Sequence, residues 1–169
     1  MTPIEWLEKW EPGFKDLKPE ERDAIMQFAL FWGYFEAKVL DNNASSARIA
    51  DAVKTWHDGE KLKKLDHFAD SLAYFRQRYY ENGEFTHHFE DRTKGLLLRK
   101  GDQPDLVKAV LSGQNDDLVA CVTAVLIIVY RFRNNLMHGM KWAYDIRGQQ
   151  DNFLHASQVL MRAVEIHTT

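Results

Sequence analysis

One cysteine, four prolines, no glycine-rich phosphate loop and no long hydrophobic run: each shortage in this 169-residue chain excludes something. Cys121 alone can close no internal disulfide, and its apolar neighbours mark it as a reduced core residue, so the expected compartment is cytoplasmic. Residues 119–130 form an apolar stretch of 12 residues broken only by Thr123. A bilayer needs about 20, so no membrane partner is expected. The first residues mix Glu5, Glu8 and Glu11 with Trp6, Leu7 and Trp10, without the basic start or apolar segment of a signal peptide. No Walker-type or dinucleotide glycine pattern occurs, which argues against a nucleoside triphosphate enzyme. A net charge of −3 leaves nothing global that suggests nucleic acid. Any such function must be local.

The composition that remains, 45% hydrophobic and 28% charged, is that of a globular chain able to bury its own core without metal or disulfide. Prolines at 3, 12, 19 and 104 leave long stretches free for helices. Pro19, Glu20 and Glu21 look like a helix start, followed to about Asn42 by apolar residues at spacings of three and four. Further helices are expected over about 45–57, 62–81 and 85–99. A short one, capped by Asp102, should end at Ser112-Gly113. Asn115 should cap the next, over 116–138, which is apolar nearly all round and therefore central and buried. A loop at 139–149 and a last helix over about 151–166 complete the chain. No segment shows the alternation of a strand. The expectation is an all-α helical bundle, residues 1–169 forming a single domain, with the buried central helix carrying the polar residues described next at its C-terminal end.

The unusual stretch is Arg131-Phe132-Arg133-Asn134-Asn135-Leu136-Met137-His138-Gly139. A very apolar helix delivers two arginines, two asparagines and a histidine, then meets glycine. Burying such groups costs several kcal/mol each unless partners serve them, so they are either a polar helix end or a site. Residues 118–150 hold Arg131, Arg133, Lys141 and Arg147 against Asp145, a local balance of +3 in a chain whose remainder carries −6. That is a candidate anion site. On an ideal helix Arg131, Asn134 and His138 share a face, whereas Arg133 and His138 lie about 140° apart. If Arg133 serves the site, the helix should loosen around Asn134-Asn135.

Arg133-Asn134, three spacer residues and His138 resemble the arginine, polar residue and histidine signature of HEPN domains (higher eukaryotes and prokaryotes nucleotide-binding). The resemblance implies a small helical bundle, often dimeric, acting as a metal-independent endoribonuclease in toxin–antitoxin, anti-phage or RNA-processing systems. Some family members are binding modules without activity, so the alternative is a non-catalytic module that binds RNA, a nucleotide or a partner protein. Under the resemblance Arg133 and His138 are catalytic, Asn134 supports the histidine, and Arg131 is the alternate arginine, since the family admits either spacing. Histidine can act as acid or base near neutral pH, and arginine offers a charged fork to phosphate oxygens. No metal or cofactor is implied. One chain supplies one such histidine, so a homodimer with a composite site is expected. Arg131, Lys141 and Arg147 are further candidates for RNA phosphates, and Trp142 and Tyr144 for stacking on a splayed base. Some toxins of the family carry, two residues after the histidine, a tyrosine that the antitoxin modifies. Met140 stands there, which weakens that form of control while leaving open an antitoxin or other regulatory partner.

Other features point less far. Adjacent His87 and His88 should diverge on a helix and lack accompanying ligands, so a metal site is not expected. The aromatics Phe28, Phe31, Trp32, Tyr34 and Phe35 suit a core or a dimer interface better than a base-stacking platform.

Overall fold

Helix α7, Leu118–Met137, passes through the centre of the molecule, with every residue from Ala120 to Val129 buried. The computed structural model describes residues 1–11, 13–137 and 147–169. Before α7 come α1 (Pro3–Trp10), α2 (Pro19–Val39), α3 (Ser46–Asp58), α4 (Ala69–Tyr79), the short α5 (His87–Glu90) and α6 (Pro104–Leu111), and α8 (Gln150–Thr168) follows it. The fold is all-α, as the periodicity implied. α7 has the length and composition of a membrane span, but 78% of its most apolar stretch lies inside the bundle, the pattern of a core helix.

Local chemistry explains most boundaries. Thr2 and Glu5 form a reciprocal capping box ahead of Pro3, and Ser45 accepts the Arg48 amide at 3.2 Å to start α3. Pro19 occupies the first turn of α2, while the Glu21 carboxylate accepts the Lys18 amide at 3.0 Å. α7 is capped by Asp117, which accepts the Ala120 amide at 2.9 Å. Asn115 instead accepts the Asp117 amide at 3.0 Å and holds the turn before it, so the expected cap moves by two residues.

Three other expectations need correction. The helix expected over 62–81 begins only at Ala69; Leu62 and Phe68 still reach the core, but from an irregular connection. Asn82-Gly83 closes a hairpin rather than merely ending a helix. Tyr80–Glu81 (β1) pairs antiparallel with Glu84–Phe85 (β2), and both turn residues take positive φ, 52° and 86°. A two-residue turn of that hand matches strand twist, and Asn-Gly adopts it at low cost. Most of the helix expected over 85–99 is absent, because Asp91 captures the amides of Thr93 and Lys94 at 2.7 and 2.9 Å and stops α5. Gly95 then folds back so closely that a Cβ would sit 2.6 Å from the Asp91 carbonyl oxygen.

α8 lies alongside α2 in the same direction. At one end the Gly148 amide donates to Glu21 at 2.7 Å; at the other, His167 follows Val39 and Leu40 around Trp56. Ring contacts link four helices through Phe28, Phe153, Phe132 and Phe75, with successive centroids 5.1, 6.4 and 5.7 Å apart. These aromatics convert the apolar face of each helix into shared burial around α7.

A histidine lies in the seam between α4 and α8. The His155 ring stacks on Tyr74 at 4.2 Å, and its Nδ1 lies 3.1 Å from Ser71 Oγ. Burial holds its pKa below the usual 6.5, against the opposing pull of Asp151 and Asp70. Between the folded value and 6.5 the unfolded chain therefore binds more protons than the folded one. The stabilisation from keeping His155 neutral is complete above pH 6.5 and is lost as pH falls toward the folded value. Urea unfolding at pH 7.5 and 5.5 should show a loss of stability that is smaller in His155→Phe. Equal losses in the two proteins would show that His155 contributes nothing to the pH dependence.

Candidate functional site

The last two turns of α7 separate the two arginines onto different sides. α7 remains a regular helix through Asn134 and Asn135 to Met137, so the expected loosening there does not occur. Arg131 and Asn135, four residues apart, face the segment before α6 and the start of α3. Arg133 faces α2.

Arg131 is a core residue, 3% exposed. Its guanidinium lies 3.4 Å from Asp102 Oδ2 and donates to Asn135 Oδ1 at 3.3 Å. Asp102 does not cap α6; Gln103 takes the cap position with φ 50°, and the Asp102 side chain turns inward. There it accepts Ser46 Oγ at 2.7 Å and the Arg99 amide at 2.8 Å. Asn135 in turn donates to the Leu96 carbonyl at 3.3 Å. Burial draws the Arg131 pKa down from its usual value, and the Asp102 carboxylate opposes that shift. The network ties α7 to α3 and to the irregular 91–103 segment. It gives Arg131 a carboxylate where a phosphate contact was expected, and it leaves no open path for a nucleic-acid backbone.

Arg133 is 28% exposed and lies in a notch on α2. Its guanidinium carbon is 5.8 Å from the Trp32 ring, and one nitrogen donates to Asn134 Oδ1 at 3.0 Å. Glu36 is 3.8 Å away, too far for a hydrogen bond, and its Oε2 instead accepts the Trp32 indole N–H at 2.7 Å. Trp32 and Glu36 thus form a sill, one turn of α2 long, beneath the arginine. Among the described residues the Nε atoms of Arg131 and Arg133 are both buried without an acceptor, so it is exposure and the long Glu36 contact that set Arg133 apart. The fork is held in direction and only loosely committed in charge, and such a fork can take an anionic oxygen in place of Glu36.

Asn134 is buried, and its carbonyl oxygen serves Arg133. Arg147 is exposed, 3.9 Å from Asp16. The local surplus of positive charge is thereby reduced, since Arg131, Arg133 and Arg147 each face a carboxylate from elsewhere in the fold. His138, Lys141, Trp142 and Tyr144 lie outside the described residues. His87 and His88, expected to diverge, have ring centroids 3.9 Å apart. Among the described residues no three His, Cys, Asp or Glu side chains are grouped to hold a metal ion.

Sequence reasoning missed Glu36 and Asp102 as partners of the arginines. Trp32 and Glu36 stand at helical i,i+4 spacing, which is visible in the sequence; their meeting with Arg133 is a tertiary fact. Compared with protein-family models, with curated proteins and with solved structures, the chain matches none.

Breaking the buried pair should be costly, because it strands a charge in the core. Asp102→Ala is expected to lose about 3–5 kcal/mol in urea unfolding. Replacing both partners, Asp102→Leu with Arg131→Met, should recover much of that loss. A loss below about 1 kcal/mol in the single variant would show that the pair is not the anchor of this end of α7.

Proposed function

We propose that the chain is a metal-independent endoribonuclease of the HEPN type, with Arg133 and His138 as its catalytic residues. The observation that carries the proposal is the division of labour between the two arginines. Arg131 is sealed against Asp102, while Arg133 stands part-exposed, steered by Trp32 and Asn134, with a weak carboxylate contact that an RNA phosphate can replace. This favours Arg133 over Arg131 as the available cation. The regular course of α7 to Met137, which on an ideal helix turns position 138 about 140° from Arg133, counts against the two acting together within one chain.

Cleavage of RNA through its own 2′-hydroxyl needs a base for that proton, an acid for the departing 5′-oxygen, and a cation for the charge that builds on the non-bridging phosphate oxygens. The 2′-oxygen attacks phosphorus, the bond to the 5′-oxygen breaks, and the products end in a 2′,3′-cyclic phosphate and a 5′-hydroxyl. Imidazole suits both proton transfers near neutral pH. The guanidinium keeps its charge throughout and can meet two phosphate oxygens at once. Two histidines serve better than one, so the proposal includes a homodimer with a composite site, a cytoplasmic setting and RNA as substrate. Arg147 and Lys141 would supply phosphate contacts and Trp142 and Tyr144 base stacking; an antitoxin or other regulator is a further partner of this reading.

Glu36 favours a second reading. A carboxylate 3.8 Å from Arg133 competes with phosphate, as suits a HEPN-like module that binds RNA, a nucleotide or another protein without cutting.

Incubation of the purified protein with total RNA in EDTA separates the two. The first reading expects cleavage by the wild type, none by His138→Ala, and a loss on the order of 10²–10³ in Arg133→Ala with RNA binding largely kept. Arg133→Lys should restore only part, because an ammonium lacks the fork. RNA binding without cleavage supports the module; wild-type cleavage by Arg133→Ala would end the catalytic assignment of that arginine.

A further inference from the structure

The outward face of α2 is built as a helix-packing surface, and nothing among the described residues packs on it. Its inward face buries Ala24, Phe28, Trp32, Phe35 and Val39. Of the apolar stripe expected from the sequence, Ile25, Phe28, Ala29, Trp32, Phe35, Ala37, Val39 and Leu40, Ala37 lies exposed on the outer side instead. Its outward face carries Met26 at 53%, Leu30 at 73% and Tyr34 at 50% exposure, four residues apart. Exposed Gly33 and Ala37 lie between and beyond them on the same face. A Cβ built at Gly33 would meet no atom within 4 Å. Large apolar side chains therefore alternate with hollows where another backbone can come close. A contiguous ridge of this kind marks an interaction surface, whereas scattered exposed apolar residues would not.

We infer that this face of α2 packs antiparallel against the same face of a second copy of the chain. The argument is complementarity under two-fold symmetry. In an antiparallel pair with its axis near residues 31–32, Leu30 of each copy falls opposite Gly33 of the other, and Met26 opposite Ala37. A two-fold of this kind also brings like flanks together end for end. Asp23 and Lys38 occupy the same flank of α2 at opposite ends, on a helix that advances about 1.5 Å per residue. Each Asp23 therefore faces the Lys38 of the other copy, twice over. In a parallel pair, whose two-fold runs along the helices, the flank carrying Asp23 and Lys38 would meet the opposite flank of the other copy, so this matching of opposite charges belongs to the antiparallel arrangement alone.

The other flank of α2 carries Glu36 and, above it, Arg133. The same packing puts both Arg133 notches on one side of the dimer, with the two Glu36 positions about 13 Å apart along the helix axis. The interface rests on the α2 surface; it gives the composite site proposed above its geometry, and only that consequence depends on the ribonuclease reading. Met26, Leu30 and Tyr34 expose roughly 350 Å² per copy, below the ~800 Å² per partner of a standard interface, so the affinity is expected in the micromolar range.

Sedimentation equilibrium of the full chain up to roughly 100 µM tests the inference. The wild type should dimerise, and Leu30→Glu should be monomeric with unchanged helical circular dichroism. Gly33→Leu, whose side chain enters open space in the monomer, should also weaken pairing. Asp23→Lys and Lys38→Asp should each weaken it by about tenfold, and the double reversal should restore it. A wild type monomeric at that concentration would overturn the inference. So would a dimer surviving Leu30→Glu, or a charge reversal that fails to rescue. Assaying RNA cleavage on the same samples separates the proposals: an intact dimer that cuts nothing sinks the ribonuclease reading and leaves the interface standing.

Discussion

A helix that is apolar around its whole circumference has no face to give to water, and α7 forces the rest of the chain to surround it. Ala120 to Val129 are buried on every side, which demands cover from α3, α4, α6 and α8 at once. Neighbouring helices need only one apolar stripe each, which is what α3 and α6 carry. The aromatic line from Phe28 through Phe153 and Phe132 to Phe75 is the closure of that shell near the polar end of α7. Burial of large side chains at about 1.5–3 kcal/mol each supplies the driving force, and the surrounding topology follows from it.

The same constraint explains the character of the two arginines. A helix sealed along most of its length delivers its polar residues while still inside the molecule, so whichever side chain points inward must find a partner. Arg131 points inward and meets Asp102 and Asn135, with Ser46 bonded to the far side of Asp102. Arg133, two residues on, emerges at the rim of α2 and reaches partial solvent. Its sill of Trp32 and Glu36 orients the guanidinium without capturing it. Charge alone does not distinguish two arginines two residues apart. Angular position on a helix of known burial does.

The helical bundle, the central position of α7 and the starts at Pro19 and Ser45 were legible in the sequence, because they depend on spacing and capping over a few residues. The segment from 80 to 103 was not. Its hairpin rests on a two-residue turn with almost no strand around it, and its loop rests on Asp91 and on the space that Gly95 leaves for a returning backbone. Asp102 shows the limit most clearly: ahead of Pro104 an aspartate reads as a cap, yet a guanidinium 29 positions later in the chain competes for the same carboxylate. Desolvation decides that competition, and no local pattern records it. The basic balance around 118–150 suffered the same fate, since its opposing carboxylates come from residues 16, 36 and 102.

Helix α2 draws these strands together, because three of its faces have three environments. One face closes the core over α7 and α8, one flank supports Arg133, and the outward face offers Leu30 and Met26 to water. A helix free of interaction constraints would carry charge on its outer face, as the solvated side of α3 does with Arg48, Asp51, Lys54 and Asp58. Apolar residues on the inner and outer faces together cost solubility and gain nothing for the monomer's stability. They become consistent once a second helix covers the outer face. If α2 pairs with itself as inferred above, both Arg133 side chains come to one side without any further element, and the helix that positions the arginine would also set the distance between its two copies.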